Sequence, residues 1–496
     1  MQSSVAACRP ETLFSILCYN NSMVFSSLTF LLLFLPVILA AYFACRNIRW
    51  RNAVLLVGSL VFYAWGEPVY VLVMLLVTLA AFFGTLLFSN EHRPFFKKLK
   101  FVLTILLSLA ALLYFKYAAF FANQAVSIFG GSGTMETPRL PIGISFFTFQ
   151  AISYVVDAYR GNVKVQRNYA LLLLYVSCFP QLIAGPIVQY ADIEYDLMER
   201  RTTLDDFTSG MRRFAVGLGK KVLIANILGE MLSNMPDAGA SVAAAWLTTV
   251  LFAMQIYFDF SAYSDMAIGL GQVLGFHYRE NFNYPYVSRS VSEFWRRWHI
   301  SLGRFFREYV YIPLGGNRRS RARTALNLLI VWALTGLWHG ASWNFVLWGV
   351  YYGMFIALEH GALRYAIKRI PRVLGTALTM LIVLFGWVLF MQTDLALCAN
   401  QVLAMLGLSA SGNVVSLLVL TDETTLYVIR SYTVIPLIAA ALCAPVLPRL
   451  KQWFDHRLRA RRGAQLIETV LLTAVVLLSI FNLVADSYNP FLYFRF

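Results

Sequence analysis

The chain has 496 residues, of which 59% are hydrophobic and only 13% charged, and its formal net charge is +16. Apolar stretches of about 20 residues recur from end to end, which excludes an ordinary soluble enzyme and predicts an all-α polytopic membrane protein in a lipid bilayer. The basic residues lie mainly in the loops between these stretches and predict membrane orientation; nucleic-acid binding is not expected, because no separate basic domain stands out.

The sequence begins with a segment unlike the rest. Residues 1–22 lack a basic region followed by an apolar core, so they do not predict a signal peptide, and we interpret them as an N-terminal extension. The first span is predicted from Met23, in MVFSSLTFLLLFLPVILAAYF. The pattern then predicts a membrane domain over 23–484 and an extracytoplasmic C-terminal tail over 485–496 that contains FLYFRF.

Basic loops alternate with the apolar runs and assign a side to each. RNIRWR at 46–51 and SNEHRPFFKKLK at 89–100 are predicted to be cytoplasmic, and the Gly/Ser/Thr-rich loop 130–137 is predicted to lie outside. Residues 392–430 are mixed in character and predict outer amphipathic helices. The further predicted spans are 52–65, 69–88, 101–122, 141–160, 169–184, 214–232, 243–260, 324–338, 341–360, 373–391, 431–447 and 466–484.

The middle of the chain contains carboxylates in apolar surroundings. Before them, Thr203 followed three residues later by Asp206 predicts the start of a helix. Asp259 and Asp265 then lie within QIYFDFSAYSDMAIGLGQVLGF, and carboxylates in such a segment need partners. We expect them to pair with the arginine-rich stretch just downstream, in ion pairs that hold re-entrant helices, and we favour this structural role over catalysis.

The residues from Val291 to Tyr309 predict a single amphipathic helix on the membrane surface. At about 100° per residue, an apolar face is separated from a face of arginines. The apolar face comprises Trp295, His299, Leu302 and Phe306. NRRSRAR at 317–323 adds four arginines and predicts that this side is cytoplasmic.

Two histidines flanked by tryptophan are the candidate functional groups. An imidazole among membrane segments can change protonation near neutral pH and is a functional candidate. His299 follows the arginine run, and His339 lies in Gly-Leu-Trp-His-Gly, where the glycines would cost stability unless something approaches closely. The structural alternative is a histidine hydrogen-bonded within a helical core.

The six cysteines are scattered and show no metal-ligand spacing. Neither a disulfide framework nor a metal site is therefore expected, and the cysteines are interpreted as small buried side chains. They are Cys8, Cys18, Cys45, Cys178, Cys398 and Cys443.

The ordered set of motifs resembles the membrane-bound O-acyltransferases, and within them the bacterial alginate O-acetylation branch. The strings that carry the resemblance extend from Met23 to Phe496 and include PIGISFFTFQAISYVVDAYRG, YFDFSAYSDMAIGLG, ENFNYPYVSRSVSEFWRRWHISL, YIPLGGNR, TGLWHGASWNFVLWG and FLYFRF. The departures are residues 1–22 and MQTD after Phe390, where relatives usually carry an arginine-containing turn.

The resemblance implies a helical bundle with re-entrant and surface-lying helices around a central cavity, in the cytoplasmic (inner) membrane. It implies transfer of an acyl group, expected to be acetyl, from cytoplasmic acetyl-CoA to an extracytoplasmic polysaccharide, alginate-like or another exopolysaccharide or cell-wall glycan. His339 matches the catalytic position of the family and His299 is its second characteristic histidine. A soluble SGNH-type partner is implied outside, and Tyr493 matches a terminal acyl relay.

The chemistry agrees with these residue types. Transfer from a thioester to a hydroxyl needs a neutral base, and burial among Trp332, Trp338 and Trp343 would keep an imidazole neutral. Asn344, tryptophan N–H groups and His299 are candidate donors to the oxyanion, and the sequence does not choose among them. Guanidinium groups match the phosphates of coenzyme A, although membrane anchoring explains these arginines equally well. The candidate clamp comprises Arg296, Arg297, Arg304, Arg307, Arg318 and Arg319.

Tyr493 has two interpretations. Terminal aromatic residues commonly anchor a chain at the membrane interface. Alternatively, a phenol with a pKa near 10 could accept the acyl group and pass it to a partner's serine, because a phenolate leaves more easily than an alkoxide.

Other functions remain open at this point. A lipid acyltransferase or a D-alanyl transferase of the same family would share the motifs. A polysaccharide exporter subunit would also be polytopic, but no inverted repeat typical of transporters is visible.

Overall fold

The structure, a computed structural model, describes residues 23–131, 133–183, 185–411, 414–457, 461–485 and 492. Within them, five helices are long and apolar enough to cross a membrane, or six if a pair of helices bent by 69° forms one broken span. These helices confirm the predicted all-α polytopic membrane fold. The five are Val71–Ser89, Pro94–Phe129, Val242–Val273, Arg372–Met391 and Leu466–Ala485.

The first third of the chain forms helices connected by short loops. Their ends follow local signals: the Asn47 side chain accepts a hydrogen bond from the backbone N–H of Arg49, and Gly130 ends another helix with φ 69°. The α-helices are Leu35–Phe43, Ile48–Gly66, Val71–Ser89, Pro94–Leu112, Ala118–Phe129, Ile144–Arg160, Tyr169–Ser177 and Phe179–Leu182, and the π-helical segments are Phe30–Phe34 and Leu113–Tyr117.

The middle third contains the helices that surround the two histidines. The start predicted at Thr203 is confirmed: its backbone N–H donates to the Asp206 carboxylate, and the Asp206 backbone N–H donates to the Thr203 hydroxyl. The hydrogen bonds from Thr203 lower the pKa of Asp206. The helices are Tyr190–Met198, Leu204–Gly219, Asn226–Ser233, Val242–Val273, Val291–Arg297, Ile300–Phe306 and Arg321–His339, with π-helical Lys220–Ala225 and Arg307–Tyr311 and 3-10 Pro285–Val287.

The last third combines helices with one pair of strands. Residues 392–430 contain helical segments, as predicted, but Leu408–Ser411 also pairs antiparallel with Val414–Leu417, which the sequence analysis missed. The helices are Trp343–His360, Arg364–Arg369, Arg372–Met391, Leu395–Met405, Glu423–Tyr432, Val434–Leu442, Val446–Arg457 and Arg461–Ala485.

Two predictions about the middle of the chain are wrong. The apolar segment with both aspartates is the second half of one 32-residue helix, Val242–Val273, and not a separate re-entrant piece. The predicted single helix from Val291 to Tyr309 breaks at Trp298 and His299, where His299 adopts a left-handed conformation with φ 45°. The break is local, because short helices resume on both sides of it.

Glycines allow the helix that ends at His339 to pack closely on the next helix. A side chain at Gly336 would collide with the backbone of Phe345, and one at Gly340 would collide with the Phe345 ring. Close helix contacts through small residues are typical of membrane bundles. The close approach predicted at these glycines is therefore present, and the approaching group is the helix Trp343–His360.

The predicted extension 1–22 lies outside the described residues, as does the predicted tail 485–496 except for residues 485 and 492.

Candidate functional site

His339 is the last residue of the helix Arg321–His339 and is only 6% exposed. Its ring lies 4.8 Å from the Trp338 ring, 5.0 Å from Trp348 and 5.1 Å from Phe390, measured between centroids. The predicted tryptophan surround is correct for Trp338 but wrong for Trp343, which is 51% exposed at the start of the next helix and contacts Phe120 and Gln124 instead. His339 is thus enclosed by aromatic rings.

His299 is buried beside the same indole. It connects the helices Val291–Arg297 and Ile300–Phe306, is 2% exposed, and its ring centroid lies 6.0 Å from that of Trp338. The two predicted histidines therefore lie near the same residue, Trp338. His299 lies outside the spanning helices, and burial lowers its pKa to about 3, so the imidazole is neutral near pH 7.

Hydrogen bonds around Asn281 define the tautomer of His299. The Oδ1 atom of Asn281 lies 3.0 Å from Nδ1 of His299 and also accepts from the Ser301 hydroxyl at 2.8 Å. The Nδ2 group of Asn281 donates to Ser264, which fixes the orientation of the amide. Because Oδ1 can only accept, Nδ1 of His299 carries the proton. Its Nε2 atom, which has no hydrogen-bond partner among the described residues, is left as a buried lone pair.

A small cavity touches His339. This histidine cavity, of about 60 Å³, is lined by Lys116, Trp338, His339 and the segment 140–146 at the start of the helix Ile144–Arg160. Segment 140–146 follows the loop that the sequence analysis predicts to lie outside. The histidine cavity is therefore expected to approach His339 from the outer side.

A larger cavity reaches the partner of His299. This charged cavity, of about 330 Å³, is lined by Asn281, Ser264 and several ionisable groups. The ionisable lining residues are Arg212, Arg213, Lys220, Asp265, Glu280 and Glu468. Asn281 thus lines the charged cavity while its amide oxygen contacts His299.

The two cavities reach the paired histidines through different residues. Trp338 and His339 line the histidine cavity, whereas Asn281, whose Oδ1 atom contacts Nδ1 of His299, lines the charged cavity. The helix Ile144–Arg160 begins at the histidine cavity, and Arg160 at its other end donates to the carbonyl of Glu308.

The two aspartates form ion pairs, but not with the predicted partners. Asp265 contacts Arg213 at 2.9 Å and Lys220 at 2.7 Å, and buried Asp259 contacts Lys221 at 2.7 Å. The cations come from upstream, because the helical run starting at Leu204 packs along the helix Val242–Val273. The downstream arginines expected to pair with the aspartates are therefore occupied elsewhere or exposed.

The six predicted donor-binding arginines divide into two groups. Arg297 pairs with Glu293 at 2.9 Å, and Arg304 pairs with Asp192 and Glu308. The remaining four are exposed, and none of them forms an ion pair within the described part of the chain. These four are Arg296, Arg307, Arg318 and Arg319.

The arginine-bearing helix borders the charged cavity. Arg297 donates a hydrogen bond to the carbonyl of Asn283, which lies between the cavity residues Phe282 and Tyr284. The backbone N–H of Asn283 in turn donates to the carbonyl of Arg297. Arg296, the residue before Arg297 in this helix, is exposed.

Tyr493 lies outside the described residues, so its predicted role stays a prediction. The residue before it, Leu492, is 7% exposed, and its backbone N–H donates to Oδ2 of Asp259 at 2.7 Å. Asp259 therefore joins the Lys221 ion pair to the C-terminal segment.

Two residues of the site, Asn281 and Lys116, were not predicted from the sequence. Asn281 is one of two asparagines in ENFNYP, and the sequence contains no signal that selects it. Lys116 has a recognisable signal, because it is a lone charge within the apolar run LLYFKYAAF. It lines the histidine cavity beside His339.

Comparison with known proteins relates this geometry to a family. Residues 164–399, which include both histidines and all six arginines, match the model of MBOAT, the membrane-bound O-acyltransferase family. The chain is similar to the probable alginate O-acetylase AlgI of Pseudomonas aeruginosa, with 41% identity over 77% of this chain and 75% of the relative. The Azotobacter vinelandii protein of the same name is 37% identical over 96% of this chain and 100% of its own length. A Helicobacter pylori peptidoglycan O-acetyltransferase is 32% identical over 82% of this chain and 84% of the relative.

Proposed function

The chain belongs to the membrane-bound O-acyltransferase family, and from this premise we propose that it moves an acetyl group from acetyl-CoA across the membrane to a polysaccharide. Acyltransferase activity at a membrane follows from the family. The names of the relatives specify O-acetylation of alginate and of peptidoglycan, which supports acetyl as the transferred group and a glycan as the acceptor. The proposed location is the cytoplasmic (inner) membrane, where acetyl-CoA is available on one face.

The observation that carries the proposal is the placement of two buried histidines on Trp338, where His339 lines one cavity and Asn281, the hydrogen-bond partner of His299, lines another. A transferase that takes its donor from one side and serves an acceptor on the other needs such a junction. Aromatic rings around His339 exclude water, which protects the acyl group from hydrolysis. An exporter would need a continuous path for a polymer, and the aromatic packing at His339 offers none within the described residues.

His339 acts as the general base in this proposal. It accepts the proton of the attacking hydroxyl while the oxygen forms a bond to the thioester carbonyl carbon. The resulting oxyanion collapses, the carbon–sulfur bond breaks, and coenzyme A leaves as the thiolate. His299, with its proton on Nδ1, presents Nε2 as a second acceptor beside the same indole and orients the reacting groups.

The charged cavity is the proposed entrance for the donor. Arg297 bonds to the carbonyl of Asn283, which lies between two lining residues, and the preceding residue Arg296 is exposed. Guanidinium groups suit the phosphates of coenzyme A better than a single ammonium does. Because Arg297 and Arg304 already neutralise carboxylates of the protein, the clamp reduces to the four exposed arginines. The paired arginines hold the helices in place.

The C-terminal tail is the proposed route to the acceptor. Attachment of Leu492 to Asp259 anchors the residue next to Tyr493 within the protein and not on its surface. We propose that the Tyr493 phenol takes the acetyl group beside His339 and hands it to a serine of a secreted SGNH-type partner. The partner then esterifies the polysaccharide, so that the membrane protein needs no contact with the polymer itself.

A label-transfer experiment tests the proposed function. Membranes containing the protein are supplied with radiolabelled acetyl-CoA, the soluble extracytoplasmic fraction and the exopolysaccharide of the source cells. We expect label in the polymer as an ester that mild alkali releases as acetate. Label found only in lipid would indicate a lipid acyltransferase. Transfer from a D-alanyl thioester with no label taken from acetyl-CoA would indicate a D-alanyl transferase, and polymer movement without label would support an exporter.

A further inference from the structure

Lys116 is a buried lysine within a predicted span. It lies in the π-helical segment Leu113–Tyr117, within the helical run Pro94–Phe129, and is 8% exposed. An ionisable group at such a depth is costly, so its partners indicate what it does. Among the described residues, no carboxylate pairs with Lys116.

The partners of Lys116 are carbonyl oxygens at the end of the helix that carries His339. Its Nζ atom lies 2.5 Å from the carbonyl oxygen of Trp338 and 3.4 Å from that of His339. The next residue, Tyr117, donates its hydroxyl to the carbonyl of Leu337 at 3.0 Å. These carbonyls are among the last four of the helix, which lack partners within the helix itself.

The helix end is thereby completely satisfied. The carbonyl of Gly336 accepts from the backbone N–H of Gly340, and Lys116 and Tyr117 serve the other three. A cation at this position also complements the negative end of the helix dipole. Consecutive side chains from one π-helical segment thus fix the turn from which the His339 imidazole projects.

Lys116 also borders the space where the reaction is proposed to occur. It lines the histidine cavity together with Trp338 and His339. An ammonium has three donors, and at most two of them bond to the carbonyls of Trp338 and His339. Asn344, a candidate oxyanion donor from the sequence, instead donates its Nδ2 group to the carbonyl of Gln392.

We propose that Lys116 fixes the helix end bearing His339 and, as a catalytic residue, supplies the positive charge that stabilises the oxyanion. The inference rests on the proposed function. When the hydroxyl oxygen bonds to the acyl carbon, the carbonyl electrons move to oxygen, and the ammonium stabilises that charge by a hydrogen bond. Lys116 keeps its proton; the hydroxyl proton goes to His339, and the electrons of the broken carbon–sulfur bond leave with the thiolate.

The test compares lysine substitutions in purified protein reconstituted into liposomes, supplied with acetyl-CoA as donor and with the soluble extracytoplasmic fraction and the exopolysaccharide of the source cells as acceptor. Lys116→Met removes the charge but keeps the length, Lys116→Arg keeps the charge, and Lys98→Met makes the same change at an exposed lysine of the same helical run. For Lys116→Met we expect kcat to fall about 10²- to 10³-fold with donor KM changed less than twofold, as for loss of an oxyanion donor. Lys116→Arg should recover at least part of kcat, and Lys98→Met should match the wild type.

The pH–rate profile separates charge from mere packing. Among the described residues, the titratable groups that face His339 are Lys116 and His299, and burial keeps His299 neutral. The proposed relay adds the Tyr493 phenol, which all of these variants retain. Removing the lysine charge makes protonation of the His339 imidazole easier, so the acid limb of Lys116→Met should move to higher pH. Tyr117→Phe, which removes a helix-end hydrogen bond but no charge, should leave that limb in place.

The outcomes test the proposed function and the role of Lys116 separately. A wild type that transfers no acetyl group from acetyl-CoA contradicts the proposed function. An active wild type with equal kcat in Lys116→Met and Lys98→Met contradicts the inference, as does Lys116→Arg with no more activity than Lys116→Met. If Lys116→Met does not accumulate folded, the test uses Lys116→Arg and Tyr117→Phe. An acid limb that moves in Tyr117→Phe but not in Lys116→Arg would show that the position of the helix end, and not the lysine charge, sets the limb. That result contradicts the proposed role of the charge.

Discussion

The surroundings of His339 and those of Asn281 differ sharply in charge. Around His339 the packing is aromatic, and Lys116 is the charged residue that lines its cavity. Around Asn281, six ionisable groups line a cavity more than five times larger, of about 330 Å³ against about 60 Å³. An enclosed apolar site strengthens each electrostatic contact within it, whereas a wide charged site recognises a charged ligand. Under the proposed function, this difference fits chemistry at His339 and donor binding at the charged cavity.

The largest expected effect comes from His339→Ala. Loss of the proposed general base should lower acetyl transfer about 10²- to 10⁴-fold while donor binding persists. Product formation and acetyl-CoA binding are measured on the same reconstituted protein. His92→Ala, at an exposed histidine in a predicted loop, is the control and should behave as the wild type. Wild-type product levels in His339→Ala would show that His339 is not the general base.

Tyr493→Phe tests the proposed transfer of the acetyl group from the His339 site to the Tyr493 phenol. The change keeps the aromatic ring and removes only the hydroxyl, so polymer acetylation should fall about 100-fold if the phenol carries the acyl group. Tyr488→Phe makes the same change five residues earlier in the sequence and should have no effect. Mass spectrometry of the C-terminal peptide should find acetyl on Tyr493 in the wild type. Unchanged polymer acetylation in Tyr493→Phe would leave this residue as an aromatic anchor.

His299 connects the two regions, and its replacement should have an intermediate effect. We expect His299→Ala to lower kcat roughly 10- to 100-fold, because the residue orients groups and does not replace the base at His339. Asn281→Ala, which frees the Nδ1 proton of His299, should reproduce part of this loss. Because burial lowers the pKa of His299 to about 3, neither change should alter an acid limb near neutral pH. A change confined to donor KM would show that His299 contributes to donor binding and not to turnover.

The smallest effect is expected for the exposed arginines at the charged region. Arg296→Gln should raise donor KM roughly fivefold and make it less sensitive to salt, since screened surface contacts are individually weak. Arg304→Gln, at a residue paired with Asp192 and Glu308, should instead lower thermal stability. Kinetics at two salt concentrations and a melting curve for each variant distinguish the two. Equal donor KM in Arg296→Gln and the wild type would reduce Arg296 to membrane anchoring.

The sequence predicts the fold class and the two histidines because these depend on local pattern. Long apolar runs require helices in a membrane, and a tryptophan-flanked histidine between glycines is unusual enough to be noticed. In the structure both histidines are buried near Trp338. The break at His299 was not predictable, because the arginine and apolar faces continue in helical register through a residue with φ 45°.

Partner choice is the part that the sequence could not supply. Asp259 and Asp265 need cations, but the upstream lysines and the downstream arginines are equally reasonable until the packing of the helix Val242–Val273 is known. Lys116 similarly contacts residues more than 200 positions away, at the end of another helix. Long-range contacts of this kind depend on tertiary packing and leave no periodic trace in the chain.

The central claim is that acetyl enters from the charged side and leaves from the histidine side through His339. It is tested most directly with liposomes in which the orientation of the protein is known. Labelled acetyl-CoA is supplied to one face, and the acceptor system, the soluble partner with the polysaccharide, is supplied to the other. The account predicts polymer labelling only when acetyl-CoA is on the face of the arginine-bearing loops, and none in His339→Ala. Equal labelling from either face, or undiminished labelling in His339→Ala, would contradict it.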